Sequence, residues 1–321
     1  MAGVKGAAHI GVLKAMEEEN IKYDYISGAS SGSIVAALAA MGYSADEIYK
    51  LFKKQCRKIN GVELKNVLKL IWGLIVYNQI IIEGLNSGEK IEKIVNEAGE
   101  QKGIYNISQI KSNLLIPSVD LNDGGLYMFS SMLQRGAYSD EIKYINDISI
   151  GKAVRASCSY PGVFSPCKFE DKELIDGGIR ENLPWKETKR NGADIVFCVK
   201  FENEKKEKCR KNIIDNISKS IDILCHELSN YEIEGIDYLL TLKTKNISLL
   251  DYSKIDELYE LGYVQAKKYL KDKKRHTFLK NFSKKCAVFY LLNISSPEHS
   301  LTHTIHRFLS SQVEICFLFL M

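Results

Sequence analysis

The chain of 321 residues lacks any C-x-x-C pair, any internal repeat, and any uninterrupted apolar run of the ~18 residues that suggest a membrane span. Its eight cysteines (Cys56, Cys158, Cys167, Cys198, Cys209, Cys225, Cys286, Cys316) are scattered. In a chain this long they read as small buried hydrophobes in a reducing compartment, which excludes a disulfide scaffold. Histidine is scarce, with six in all, and four of them (His276, His299, His303, His306) lie beyond Arg275. Neither sign of charge dominates: 44 basic and 40 acidic side chains leave a net +4, too little to indicate a nucleic-acid partner and compatible with a mild attraction to anionic lipid. Met1 to Gly6 shows no charged segment leading into an apolar one, so no secretory signal is expected and the cytoplasm is the expected location.

What is present is ordinary globular composition, 45% hydrophobic and 26% charged. At this length roughly 75% of the unfolded surface can be buried, so the core needs no staple. Ala8, Val12, Leu13 and Met16 recur at helical spacing just after a Gly3 to Gly6 turn. Lys22 to Ser27 reads as a strand, and Ile34 to Met41 as a buried helix stopped by Gly42. Ser44 is positioned to cap a helix running to Lys53. Val67 to Ile82 is apolar but broken by Lys69, Asn78 and Gln79, and reads as a buried or cleft-covering helix, with a lipid-contacting surface as the alternative. Strands are expected at Leu114 to Asp120, Leu126 to Phe129, Asp194 to Val199 and Tyr238 to Leu242. Helices are expected at Ile150 to Ser157 and Ile255 to Leu270. The basic stretch Lys205 to Lys211 reads as solvated surface. After Lys271 to Arg275 the character changes, and residues 276–321 read as an appendage.

Between the first strand and the buried helix stands Gly28-x-Ser30-x-Gly32. A serine at a strained strand-to-helix turn has its Oγ clear of the backbone, and glycines on either side allow the strand and helix to approach closely. The N–H of Ser31, at the helix start, is then the natural first donor to an oxyanion. A serine-rich turn between two buried elements is the competing reading. Histidine is a weak candidate base, since only His9 and His226 lie in the globular body, both in helical patterns. A buried carboxylate that reaches the hydroxyl directly is the other option. Asp176 precedes two glycines, Gly177 and Gly178, which allow close backbone approach, although such a tripeptide is more often only a turn. Gly3-Val4-Lys5-Gly6 could supply backbone N–H groups to an oxyanion, whereas its spacing and the lack of a preceding strand argue against a dinucleotide loop. His299, His303 and His306 could share a helix face, but with no carboxylate or cysteine at ligand spacing they read as surface histidines, and no metal is expected.

Four motifs in order then carry a family resemblance: Gly3-Val4-Lys5-Gly6-Ala7-Ala8-His9-Ile10-Gly11-Val12-Leu13, Gly28-Ala29-Ser30-Ser31-Gly32, Arg155-Ala156-Ser157-x-Ser159-x-Pro161-Gly162-Val163-Phe164-x-Pro166, and Asp176-Gly177-Gly178 with Asn182-x-Pro184. From Gly3 to Leu270 the chain resembles patatin-like phospholipases of the bacterial type. The resemblance implies a three-layer α/β/α acyl hydrolase domain on a mainly parallel sheet and a serine–aspartate dyad without metal or cofactor. It implies Ser30 as nucleophile, Asp176 as general base, oxyanion donors around Gly3, Val4, Lys5 and Gly6, and Arg155 as a support of the cleft wall. The implied activity is lipid acyl hydrolysis of the phospholipase or lysophospholipase kind, with a lipid ester as partner and peripheral membrane contact. Family members carry a strand ahead of the position of Gly3, so the expected layout is an acyl hydrolase domain over 1–272 lacking its first strand, followed by an atypical tail over 273–321. The alternatives are a truncated, catalytically weak homologue that binds a lipid or partner, and an esterase of short acyl esters.

Overall fold

The computed structural model describes residues 4–59, 72, 83–132, 142–203, 213–244, 251–274 and 286–290. The apolar segment 67–82 (apart from Trp72), the basic stretch 205–211 and the histidines beyond Arg275 lie outside them. In chain order the helices are α1 (Gly6–Glu18), α2 (Ser31–Ala40), α3 (Ala45–Ile59), α4 (Glu89–Gln101), α5 (Ile150–Ser157), α6 (Trp185–Arg190), α7 (Ile213–Glu232) and α8 (Ile255–Lys274). The strands are β1 (Tyr25–Gly28), β2 (Gly84–Asn86), β3 (Asn113–Asp120), β4 (Leu126–Ser130), β5 (Ile142–Ile145), β6 (Gly162–Phe164), β7 (Cys167–Phe169), β8 (Lys172–Asp176), β9 (Ile195–Asn203), β10 (Tyr238–Thr244) and β11 (Cys286–Tyr290).

Nine strands form one mixed sheet with β10-β9-β11-β1-β3-β4-β5 as its main order, while β2 and β6 pair separately. All the pairings from β10 to β3 are parallel. The two-residue period of a strand explains why the sheet is sandwiched. Ile26, Leu114, Ile116, Tyr127, Phe129, Phe197 and Val199 join one core with α1, α2 and α3. Their neighbours Tyr25, Val196 and Cys198 pack with Leu183 and Trp185, and Leu115, Val119, Leu126 and Met128 form a third cluster with Ile142 and Ile175. Apolar residues therefore point to both faces, and both faces are covered: a three-layer α/β domain.

Local signals account for the helix ends. Gly42 takes φ +84° after α2, and the Tyr43 N–H closes back on the Leu38 carbonyl at 3.1 Å, a left-handed stop that satisfies a terminal carbonyl. Ahead of α3, the Ser44 N–H donates to Glu47 and the Glu47 N–H to Ser44 Oγ, a reciprocal cap. Helices α1 and α8 cross at two glycines: a Cβ on Gly11 would stand 2.0 Å from the Tyr259 carbonyl oxygen, and one on Gly262 would stand 2.0 Å from that of Ala8.

One expectation needs correcting. The stretch assigned to an appendage contributes β11, which lies in the middle of the sheet between β1 and β9, with Val288 opposite Ile26 on one side and Phe197 on the other. Parallel pairing on both edges and complete burial of Val288 explain the placement: a short apolar strand in that slot satisfies the backbone groups of both neighbours. The position beside β1 is therefore filled, and the sheet is not interrupted there.

Candidate active site

Ser30 is the residue between β1 and α2, and its backbone is strained. Its φ of +54° with ψ of −127° is a conformation L-residues rarely adopt, and the surrounding fold must impose it. Glycine at 28 is what allows the turn, since a Cβ there would sit 2.4 Å from the backbone of Gly32. The Gly32 and Ser33 N–H groups close the turn on the carbonyls of Ala29 and Ser30. Ser31 is the first residue of α2, where N–H groups have no intrahelical partner. Its Oγ is buried without a hydrogen-bond partner among the described residues.

Asp176 reaches the same place from the other direction, through β3. Leu115 of β3 faces Ser27 of β1 on one edge and Ser130 of β4 on the other. Ser118 faces Tyr127 of β4 and Asp176 of β8. Since a strand has two edges, β1 and β8 lie end to end along the same one, three residues apart in register. At a rise of ~3.3 Å per residue this is a gap of ~10 Å. The C-terminal ends of β1 and β8 point at each other across that gap, and Gly28 to Ser30 turn within it. The Asp176 carboxylate accepts the Gly178 N–H at 2.9 Å, which holds it against its own turn. A Cβ on Gly177 would meet the Pro117 carbonyl oxygen at 2.1 Å, so that turn also needs glycine to press against β3.

The start of α1 closes on this region. A Cβ on Gly6 would be 3.5 Å from the Ser31 Cβ and 3.2 Å from the Phe52 ring, so the N-termini of α1 and α2 converge. Val4 and Lys5 are buried, and the Lys5 ammonium lies 5.6 Å from the centre of the Phe201 ring. Gly3 lies outside the described residues. Arg155 does not reach for the serine: its Nη1 donates to Glu92 of α4 at 2.9 Å. Its carbonyl accepts the Ser159 Oγ at 3.0 Å, so it braces the end of α5. The two body histidines are engaged elsewhere, the buried His9 ring 4.8 Å from Phe201 and His226 Nε2 3.3 Å from the Asn230 amide. Among the described residues no group of three or more metal-type ligands occurs.

Sequence reading gave no role to Ser157 and Cys158, two buried residues at the end of α5. The Ser30 N–H donates to Ser157 Oγ at 3.1 Å, and the Cys158 thiol donates to the Ser30 carbonyl at 3.1 Å. Burial pushes that thiol up to about 12, with the negative charge of Asp176 adding to the rise, so it remains a protonated donor.

A patatin-like phospholipase family model matches residues 2–189, more than half of the chain. The chain belongs to the patatin-like phospholipase family. It is 30% identical over 223 residues to the uncharacterized protein YqhO of Bacillus subtilis (strain 168), covering 66% of this chain and 72% of that one. It is 25% identical over 292 residues to lysophospholipase NTE1 of Meyerozyma guilliermondii, covering 82% of this chain and 18% of the yeast protein. The chain thus spans less than a fifth of that much longer relative. Among solved structures, ExoU in its complex with SpcU from Pseudomonas aeruginosa overlaps 85% of this chain and 50% of its own, at 17% identity and a TM-score of 0.42. Membership of a phospholipase family supports lipid-ester hydrolysis as the class of chemistry.

Proposed function

We propose that this protein is a serine acyl hydrolase that cleaves carboxylic esters of phospholipids or lysophospholipids through a Ser30–Asp176 dyad. Ser30 Oγ attacks the ester carbonyl as its proton passes to the Asp176 carboxylate, and the backbone N–H groups of Ser31 and of Gly3 to Gly6 receive the developing oxyanion. The C–O bond to the alcohol breaks, and the proton held by Asp176 leaves with that alcohol. Water then attacks the acyl-serine, again with Asp176 as the proton acceptor, releasing the fatty acid and restoring the hydroxyl. No metal or cofactor enters the scheme.

The observation that carries this reading is the backbone of Ser30. A buried serine at φ +54°, between a strand and a helix start, carries backbone strain of the kind found at nucleophile elbows. The end-to-end alignment of β1 and β8 supports Asp176 as its partner. Peripheral contact with a lipid surface is part of the proposal, supported by the exposed Leu224 and Tyr231 on α7, the helix that follows the basic stretch Lys205 to Lys211. Among the described residues no helix is long and apolar enough to cross a membrane.

The test is labelling by a fluorophosphonate probe together with release of fatty acid from lysophosphatidylcholine micelles. The parent protein is expected to label and turn over, Ser30→Ala to do neither, and Asp176→Asn to lose turnover. Failure of the parent to label, or equal labelling of Ser30→Ala, overturns the reading and leaves the binding-protein alternative.

A further inference from the structure

Three consecutive residues at the end of α5 touch both halves of the proposed dyad. Ser157 Oγ accepts the N–H of Ser30, the Cys158 thiol donates to the carbonyl of Ser30, and the carbonyl of Ser159 accepts the N–H of Asp176 at 3.0 Å. Ser33 gives the Ser30 carbonyl two further donors, its N–H at 2.9 Å and its Oγ at 2.6 Å, and that Oγ lies 3.7 Å from the Cys158 sulfur. All are buried. The peptide groups on either side of a strained residue are thus both hydrogen-bonded, and the same segment that fixes them also fixes the backbone of the aspartate.

We infer that Ser157-Cys158-Ser159 is the positioning element of the site: it holds Ser30 in its strained conformation and sets the separation of Ser30 from Asp176. Ser157 and Cys158 are positioning residues and take no part in bond making. The inference rests on the serine-hydrolase reading and adds the residues that reading lacks. The physical case is one of competing tendencies. Left alone, the Ser30 backbone relaxes toward negative φ, moving its Oγ, and a displacement of ~1 Å in a reacting atom costs ~10²-fold in rate. Two hydrogen bonds from a different part of the chain resist that relaxation. They are worth most in a dry site, where no water replaces a lost bond, and they are what ties this turn to a distant part of the chain, since the Ser33 donors to the same carbonyl belong to the turn itself.

The cysteine permits a test that separates hydrogen bonding from packing. Cys158→Ala and Cys158→Ser remove nearly the same volume, but only serine keeps a donor for the Ser30 carbonyl. A packing role makes serine the worse replacement, since it buries a hydroxyl, whereas a positioning role makes it the better one. We expect Cys158→Ala to slow fluorophosphonate labelling and kcat by about tenfold at nearly unchanged KM, Cys158→Ser to recover most of that loss, and Ser157→Ala to cost about 10- to 100-fold. Melting temperatures are recorded beside the rates, so a variant that fails to fold is recognised. The Cys158 pair decides the matter if Ser157→Ala is such a variant. Equal rates for Cys158→Ala and Cys158→Ser, or parental rates for both with Ser30-dependent labelling intact, overturn the positioning role alone. A parent protein without Ser30-dependent labelling overturns the hydrolase reading itself.

Discussion

Gly28→Ala isolates the geometry of the elbow from the stability of the fold. A Cβ at residue 28 would lie 2.4 Å from the backbone carbon and oxygen of Gly32, where ordinary contact begins near 3.4 Å. Neither atom belongs to a flexible side chain, so β1 and the first turn of α2 must separate by about 1 Å, with Ser30 between them. Overpacking of this kind costs ~1–3 kcal/mol of stability. The same displacement at Ser30, the proposed nucleophile, is expected to cost ~10²-fold in turnover, a rise of ~2.7 kcal/mol in the barrier. Gly42→Ala supplies the control. Gly42 has φ +84° and nothing within 4 Å of a new Cβ, so alanine there pays only the left-handed backbone cost of ~1–2 kcal/mol. The two variants are compared in ester hydrolysis at a temperature where both are folded by circular dichroism. Gly28→Ala is expected to lose turnover and Gly42→Ala to keep it. Turnover of Gly28→Ala within about twofold of Gly42→Ala refutes the claim that close strand–helix approach positions the serine.

Two carboxylates beyond the Asp176 turn, the half-buried Glu181 and the buried Glu232, set a pH dependence of stability. Glu181 is pushed up to about 8, chiefly by burial and then by the charges of Glu232 and Glu187. Glu232 is pushed up to about 7 by burial, against the Leu183 N–H it accepts. Both are raised above 4.5, so the folded state holds protons that the unfolded state releases: stability is fully present below about pH 4.5 and is lost as pH rises through 7 to 8, at up to ~1.4 kcal/mol per pH unit for each group. The melting temperature of Glu181→Gln is expected to fall less between pH 5.5 and 8 than that of the parent, and parallel curves contradict the assignment. At the α1–α8 crossing, Gly11→Ala places a Cβ 2.0 Å from the Tyr259 carbonyl oxygen. It should cost at least ~1–3 kcal/mol in urea unfolding, and an unchanged midpoint counts against so close a crossing. A chain ending at residue 274 loses β11 and leaves the facing edges of β1 and β9 unpaired. It should aggregate or melt without cooperativity, and a soluble monomer with the parental transition contradicts the central placement of that strand.

What the sequence disclosed follows from how local each signal is. The elbow is legible because Gly28, Ser30 and Gly32 settle their geometry among themselves within five residues. The same holds for the cap at Ser44 and for helix Ile150–Ser157, whose bounds match the expected ones. Asp176 stood out only through motif order, because its place end to end with β1 along β3 is a register that no spacing along the chain encodes. The place of β11 was hidden for a related reason. Cys286 to Tyr290 is a short apolar run after a charged segment, and such a run fits an appendage as well as a sheet interior. Only the slot between β1 and β9 distinguishes the two.

The same reasoning locates what organises the site. Ser157 and Cys158 are 127 and 128 residues from Ser30, and in sequence they are merely small residues closing a helix. Their effect arises because α5 ends where the C-terminal ends of β1 and β8 meet. Ser33 holds the Ser30 carbonyl from within the turn, and the groups that hold Ser30 from elsewhere come from the end of α5 and the two residues after it, one of which is also the backbone partner of Asp176. The proposed nucleophile is announced locally, and the bonds that fix its backbone reach it from a distance as well. For this chain, then, the residues most informative about the proposed dyad lie outside it, at the end of α5.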